Sequence, residues 1–102
     1  MRSIVMVFLL AGMANAAELS APRIQELRHL VQQDCGACHG LTRKGGLGPD
    51  IRAETLAGHE AQGLAEIIKY GISDTAMPPW GPLLDDAEIN WIADYLLQET
   101  TE

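Results

Sequence analysis

Cys35 and Cys38 are the only cysteines in this chain of 102 residues, and His39 follows the second directly, in the stretch DCGACHG. Several chemistries use two thiols at this spacing. A structural zinc site needs four ligands, commonly two such pairs, and here there is one pair. His29 falls opposite the apolar face of its helix, and His59 stands alone beside Glu60 in a polar stretch. A thioredoxin-like redox pair sits at a strand-to-helix junction of a βαβ unit, and no alternating strand pattern is visible. A plain disulfide would close a tiny loop that constrains the unfolded chain little, and it leaves the adjacent histidine unexplained. In C-x-x-C-H all three residues are used: the thiols add to the two vinyl groups of a haem as thioethers, and the histidine ligates the iron. Thiols one helical turn apart reach both vinyls, and the next residue points back at the metal. Cys35, Cys38 and His39 are therefore assigned to one covalently attached haem c.

The ligand on the other side of the iron separates a carrier from an enzyme, because a five-coordinate iron is open to substrates. Of the four methionines, Met1, Met6 and Met13 lie in the N-terminal segment. Met77 lies in TAMPPW, 38 residues after His39. A lone methionine more often fills a core gap on a helix or strand. This one stands in a loop braced by Pro78 and Pro79, whose fixed torsions hold a thioether in one place. Met77 is taken as the distal ligand, and His/Met ligation raises the reduction potential.

The elements that must position these residues are helical. Ser20 can cap a helix with Pro22 in its first turn. Ile24, Leu27 and Val31 share one face with Leu30 at its edge, and the helix is expected to reach about Gln33 and deliver Cys35. Residues 40–49 are a glycine-rich loop. A short helical turn is expected over 53–58, and a helix over about 60–70 closed by Gly71. A proline-stiffened loop over SDTAMPPWGP comes next. Asp85 with Glu88 makes a capping-box-like start for a last helix reaching about Gln98, with Ile89, Ile92, Tyr95 and Leu96 as its apolar stripe. The expected fold class is all-α, with two loops long enough to serve a site.

Met1-Arg2, the apolar run from Ile4 to Met13 and the small residues Ala14-Asn15-Ala16 fit a secretory signal peptide over 1–16, cut after Ala16 or Ala17. The run is too short for the roughly 20 residues that span a bilayer. The haem domain is then 17–102, exported to the periplasm, with no membrane insertion after cleavage. Fourteen acidic residues against seven Lys and Arg give a net charge of −7, which becomes about −8 once Arg2 leaves with the leader. Such a balance opposes nucleic acid or an anionic membrane surface as partner. So small a domain gains from a staple, which a covalent haem supplies.

The chain resembles the class I c-type cytochromes, on the N-terminal helix into CGACH, the glycine-proline loop, AMPPW and the C-terminal helix. The resemblance covers residues 20–98. It implies terminal helices that cross and loops wrapped round the haem. It also implies that the Pro49 carbonyl, in GLGPD, accepts the proton of the His39 ring, fixing its orientation and basicity. A narrower resemblance, carried by ELRHLVQQDCGACHGLTRKGGLGP, TAMPPWGPLL and WIADYL, is to the small periplasmic cytochromes that accompany cytochrome cd-type nitrite reductase in denitrifying bacteria. It implies electron delivery to that reductase, or a part in maturing its d-type haem.

Around the site, Trp80 can pack on the haem edge or bond a propionate, and Arg43 and Lys44 can offset propionate charge or be solvated. Trp91 and Tyr95, one turn apart, read as core or helix-crossing residues. Asp74, Asp85, Asp86, Glu88, Asp94, Glu99 and Glu102 come after residue 73 with no base among them, so the Met77 side is expected to be neutral to acidic. The residues together describe a monomeric one-electron carrier for a redox partner protein, not an enzyme. The rival classes are a haem enzyme or gas sensor in which Met77 leaves the iron, an accessory factor in cofactor assembly, and a generic carrier for another terminal reductase or oxidase.

Overall fold

The computed structural model describes residues 18–98; the leader expected over 1–16 lies outside them. Helix α1, Ala21–Leu30, begins as its first residues dictate: the Ser20 hydroxyl accepts from the Arg23 amide at 3.2 Å, and Pro22 occupies the first turn. The helix does not simply run on to the cysteines. It widens into one π-helical turn, Val31–Cys35, and tightens again in α2, Gly36–His39. The residue pattern alone predicts a plain α-helix here. A single π turn inserts one residue into the ladder and re-aims the side chains beyond it, which is why such turns recur at functional sites. Nothing in VQQDC announces it, because the cost is met by packing rather than by local propensity.

Three further helices complete the fold: α3, Ala53–Leu56; α4, Ala61–Tyr70; and α5, Asp86–Gln98. The expected positions hold to within about two residues, and no strand occurs among the described residues. Helix α5 is the central element. It packs along α4 and also meets α3 and α1. Ile89, Ile92, Ala93 and Leu96 of α5 are buried with Leu64, Ala65 and Ile68 of α4, Leu56 of α3, Leu27 of α1 and Val31 of the π-helical turn. Leu27, Ile89 and Ile92 are at most 1% exposed, and each such side chain stabilises by about 1.5–3 kcal/mol through water release.

The start of α5 is the reciprocal cap its sequence suggests. The Glu88 amide donates to Asp85 Oδ1 at 2.9 Å, and the Asp85 amide donates to Glu88 Oε1 at 3.0 Å. The second oxygen of Glu88 accepts from Arg23 Nε at 2.6 Å. One carboxylate thus caps α5 and ties it to α1.

Candidate functional site

The first half of the site is the α2 turn and the loop behind it. Cys35 and Cys38 are half-buried, unlinked thiols one turn apart. Burial pushes the Cys35 thiol up to about 11, with the nearby Asp34 carboxylate adding to the rise, so the unmodified side chain is neutral at pH 7. After α2 the chain folds back on its own last carbonyls: the Gly45 amide donates to the His39 carbonyl at 2.8 Å, and the Gly48 amide to that of Cys38 at 2.7 Å. This return brings the Gly48 Cα against the face of the His39 imidazole. A Cβ there would lie 2.8 Å from Cε1 and 2.9 Å from Nδ1, so only glycine lets backbone and ring approach this closely.

The same return places the Pro49 carbonyl oxygen 2.7 Å from His39 Nδ1. A carbonyl only accepts, so Nδ1 carries the proton. With Nδ1 so engaged, Nε2 is the ring nitrogen left to bind a metal, and the bond behind it orients the ring.

The second half is the loop after α4. Gly71 ends that helix at φ +70°, and the chain doubles back so that the Ile72 amide donates to the Met77 carbonyl at 3.2 Å. Thr75 closes the turn between them. Its hydroxyl donates to the Ile72 carbonyl at 2.7 Å and accepts from the Met77 amide at 3.2 Å. Beyond Pro79, the Trp80 and Gly81 amides donate to the Ile68 and Lys69 carbonyls, so the loop is sewn to the end of α4. Gly71 is again irreplaceable on geometry: an added Cβ would lie 2.7 Å from the Met77 carbonyl oxygen and 2.8 Å from the Pro78 carbonyl carbon. Met77 is half-buried against the core, at a place set by backbone on both sides.

These residues fit a haem. Two thiols are spaced for two vinyl groups, one imidazole is locked with Nε2 available, and one thioether is fixed in a braced loop. Apolar side chains stand bare in both loops: Leu47, beside Gly48, is 82% exposed, and Ile72, bonded to the Met77 carbonyl, 47%. Among the described residues no three His, Cys, Asp or Glu side chains gather to hold a metal by themselves.

Trp80, Trp91 and Tyr95 are half-buried against the core, and the last two stack at 4.8 Å with an interplanar angle of 14°. Arg43 folds over the Tyr95 ring, its guanidinium carbon 5.4 Å from the centroid, while Lys44 is exposed. His29 and His59 are exposed, as their surroundings in the chain suggest. The Met77 side is less one-signed than the linear sequence suggests, because Lys69 of α4 reaches Asp86 at 2.9 Å. The parts played by Gly48, Gly71 and Thr75 are not legible in the sequence, since they lie in contacts that exist only once the loops have closed.

Helices round a C-x-x-C-H turn, with a braced methionine on a second loop, make up the arrangement of a class I c-type cytochrome. Residues 22–96 match the family described as cytochrome C oxidase, cbb3-type, subunit III. Cytochrome c55X of Paracoccus denitrificans (strain Pd 1222) is 52% identical over 101 residues, 99% of this chain and 98% of that one. The solved structure of the c-type cytochrome NirC superposes with a TM-score of 0.76 at 42% identity, covering 78% of this chain and 94% of the other. A dihydro-haem d1 dehydrogenase, NirN, solved in complex with DHE, superposes with a TM-score of 0.64 at 37% identity. That match covers 70% of this chain and 15% of NirN, one module of a larger protein. The chain belongs to this cytochrome family, and within it to the small monohaem c-type cytochromes of the c55X and NirC type. It carries covalently bound haem c and is an electron-transfer protein.

Proposed function

We propose that this protein is a periplasmic one-electron carrier that delivers electrons to cytochrome cd-type nitrite reductase and is not itself an enzyme. Cys35 and Cys38 would hold the haem through thioethers, and His39 Nε2 and the Met77 sulfur would ligate its iron. The bound haem supplies a one-electron Fe(III)/Fe(II) couple. The chain contributes the rest: Pro49 orients His39, Gly48 gives the ring room, and Gly71 and Thr75 hold the Met77 backbone so that both ligands stay in place in either oxidation state. Small reorganisation is what a carrier needs.

The observation that carries this reading is that both candidate ligands are held from behind, by Pro49 on one side and the Gly71–Met77 packing on the other. No helix among the described residues is long and apolar enough to cross a membrane. Rapid mixing of the reduced protein with oxidised cytochrome cd-type nitrite reductase tests the donor role. Fast second-order oxidation is expected; negligible oxidation with the haem intact would overturn it. If acidic groups near Met77, such as Asp74, guide docking to a basic partner, the rate falls as salt rises.

A second reading is favoured by the likeness to NirN. A dehydrogenase must pass on the electrons it removes, and a small cytochrome resembling one of its modules suits that task in maturation of the d-type haem. Reduction of the oxidised protein by that dehydrogenase turning over its dihydro-haem substrate would favour this role over delivery to the reductase.

A further inference from the structure

Cys35 and His39 close a series that begins in the core, for Leu27, Val31, Cys35 and His39 follow one another at intervals of four residues. An α-helix turns once in 3.6 residues, so each such interval overshoots a full turn by about 40°. In an unbroken α-helix Cys35 would stand about 80°, and His39 about 120°, round the axis from Leu27. The core face would end at Val31, and both residues would turn away from it.

The backbone hydrogen bonds avoid this. The Ile24 amide donates to the Ser20 carbonyl at 3.0 Å, and the Val31 amide reaches the Leu27 carbonyl, both four residues back as in an α-helix. The Gly36 amide instead donates to the Val31 carbonyl, five residues back. By Gly40 the α step has returned, its amide donating to the Gly36 carbonyl at 2.8 Å. One extra residue is taken up in a single turn, which sets the side chains beyond it back by about 100°. Cys35 and His39 then stand about 20° to either side of Leu27.

Burial follows the corrected register. Leu27 and Val31 are buried, Cys35 packs on the same core, and His39 is half-buried. Gln32, Gln33 and Asp34, between Val31 and Cys35, are all exposed, so the extra residue adds nothing to the core. We propose that the π turn is a register device for haem attachment. The segment holds one residue more than an α-helix needs, and the turn absorbs it so that Cys35 and His39 regain the face that Leu27 and Val31 bury. The inference rests on the haem roles proposed above for these two residues.

NMR of the reduced holoprotein, labelled with nitrogen-15 and carbon-13, tests the register itself. A scalar coupling across the hydrogen bond is expected from the Gly36 amide nitrogen to the Val31 carbonyl carbon. Coupling to the Gln32 carbonyl instead would overturn the device. Deletions test its purpose. Without Gln33 the turn closes as plain α and keeps the face, so covalent haem content, helical circular dichroism and the long-wavelength sulfur-to-iron band should match the parent's. Removing Gln32 and Gln33 together turns Cys35 and His39 about 100° off the face, and haem content and band should be lost. Loss in the single deletion would show that no residue is spare, and retention in the double deletion would show a segment indifferent to register. Either result overturns the inference. Mass spectrometry of the parent separates this from the site reading. Haem bonded to neither cysteine would overturn that reading and the inference with it, whereas haem on both, with the α coupling, would overturn the register device alone.

Discussion

His39 Nδ1 and the Pro49 carbonyl oxygen lie 2.7 Å apart, and Gly48, between them in the chain, is the residue that allows it. The three act as one device: the carbonyl accepts the ring N–H, and the missing Cβ leaves room for the ring. Gly48→Ala should therefore act on the iron without changing either proposed ligand. Its Cβ would overlap the imidazole, lengthen the bond to Pro49 and make His39 less basic. A less basic ligand stabilises Fe(III) less, so the reduction potential should rise by tens of millivolts, ~1 kcal/mol for one electron. Potentiometry checks this, and an unchanged potential would mean that the carbonyl does not tune the ring.

Met77→Ala should abolish the long-wavelength sulfur-to-iron band and lower the potential by a sizeable part of the ~0.8 V range that axial ligands span. The optical spectrum and a redox titration read both. Survival of band and potential would place the sixth ligand elsewhere.

Gly71→Ala should weaken the methionine loop from behind. The position sits at φ +70° and a Cβ would strike the Met77–Pro78 peptide, a combination that costs about 1–3 kcal/mol. Denaturant unfolding should show that loss, and exogenous imidazole should displace the sulfur more readily than in the parent protein.

Acid should loosen the contact between α1 and α5. The Arg23 side chain, and next the Asp85 amide, hold the folded Glu88 below its ordinary value of 4.5. A carboxylate held low contributes in full above its unfolded pKa and loses that contribution as the pH falls through its folded value. Glu88→Gln should cost about 1–2 kcal/mol at pH 7, a cap and a charged hydrogen bond together. The deficit should shrink below about pH 4.5, as stability measured against pH will show.

Replacing both Cys35 and Cys38 with Ala should leave the polypeptide largely unfolded. The described core is a thin seam of aliphatic side chains along α5. Circular dichroism of the purified double variant decides it; a well-ordered helical spectrum would show that the chain folds without its cofactor.

The features legible in the sequence are local. Asp85 with Glu88 declares itself by the three-residue step of a capping box, while spacing makes Cys35, Cys38 and His39, and its prolines make Met77, the proposed haem residues. Trp91 and Tyr95 are legible as neighbours because four residues make one helical turn. The hidden features depend on segments that meet only after folding. Arg23 finds Glu88 across 65 residues, Gly71 passes under Met77, and Tyr95 gathers Arg28 and Arg43 from two separate elements. The π turn at Val31–Cys35 is hidden for a different reason, since α and π turns differ in how the ladder closes and not in which residues they prefer.

The most direct test of the carrier assignment is exposure of the reduced holoprotein to carbon monoxide at neutral pH, with Met77→Ala alongside. If His39 and Met77 close the iron as proposed, the parent spectrum stays unchanged while the variant forms the adduct at once. Prompt adduct formation by the parent protein would show an open iron, and would move this chain from electron carrier to ligand-binding or catalytic haem protein.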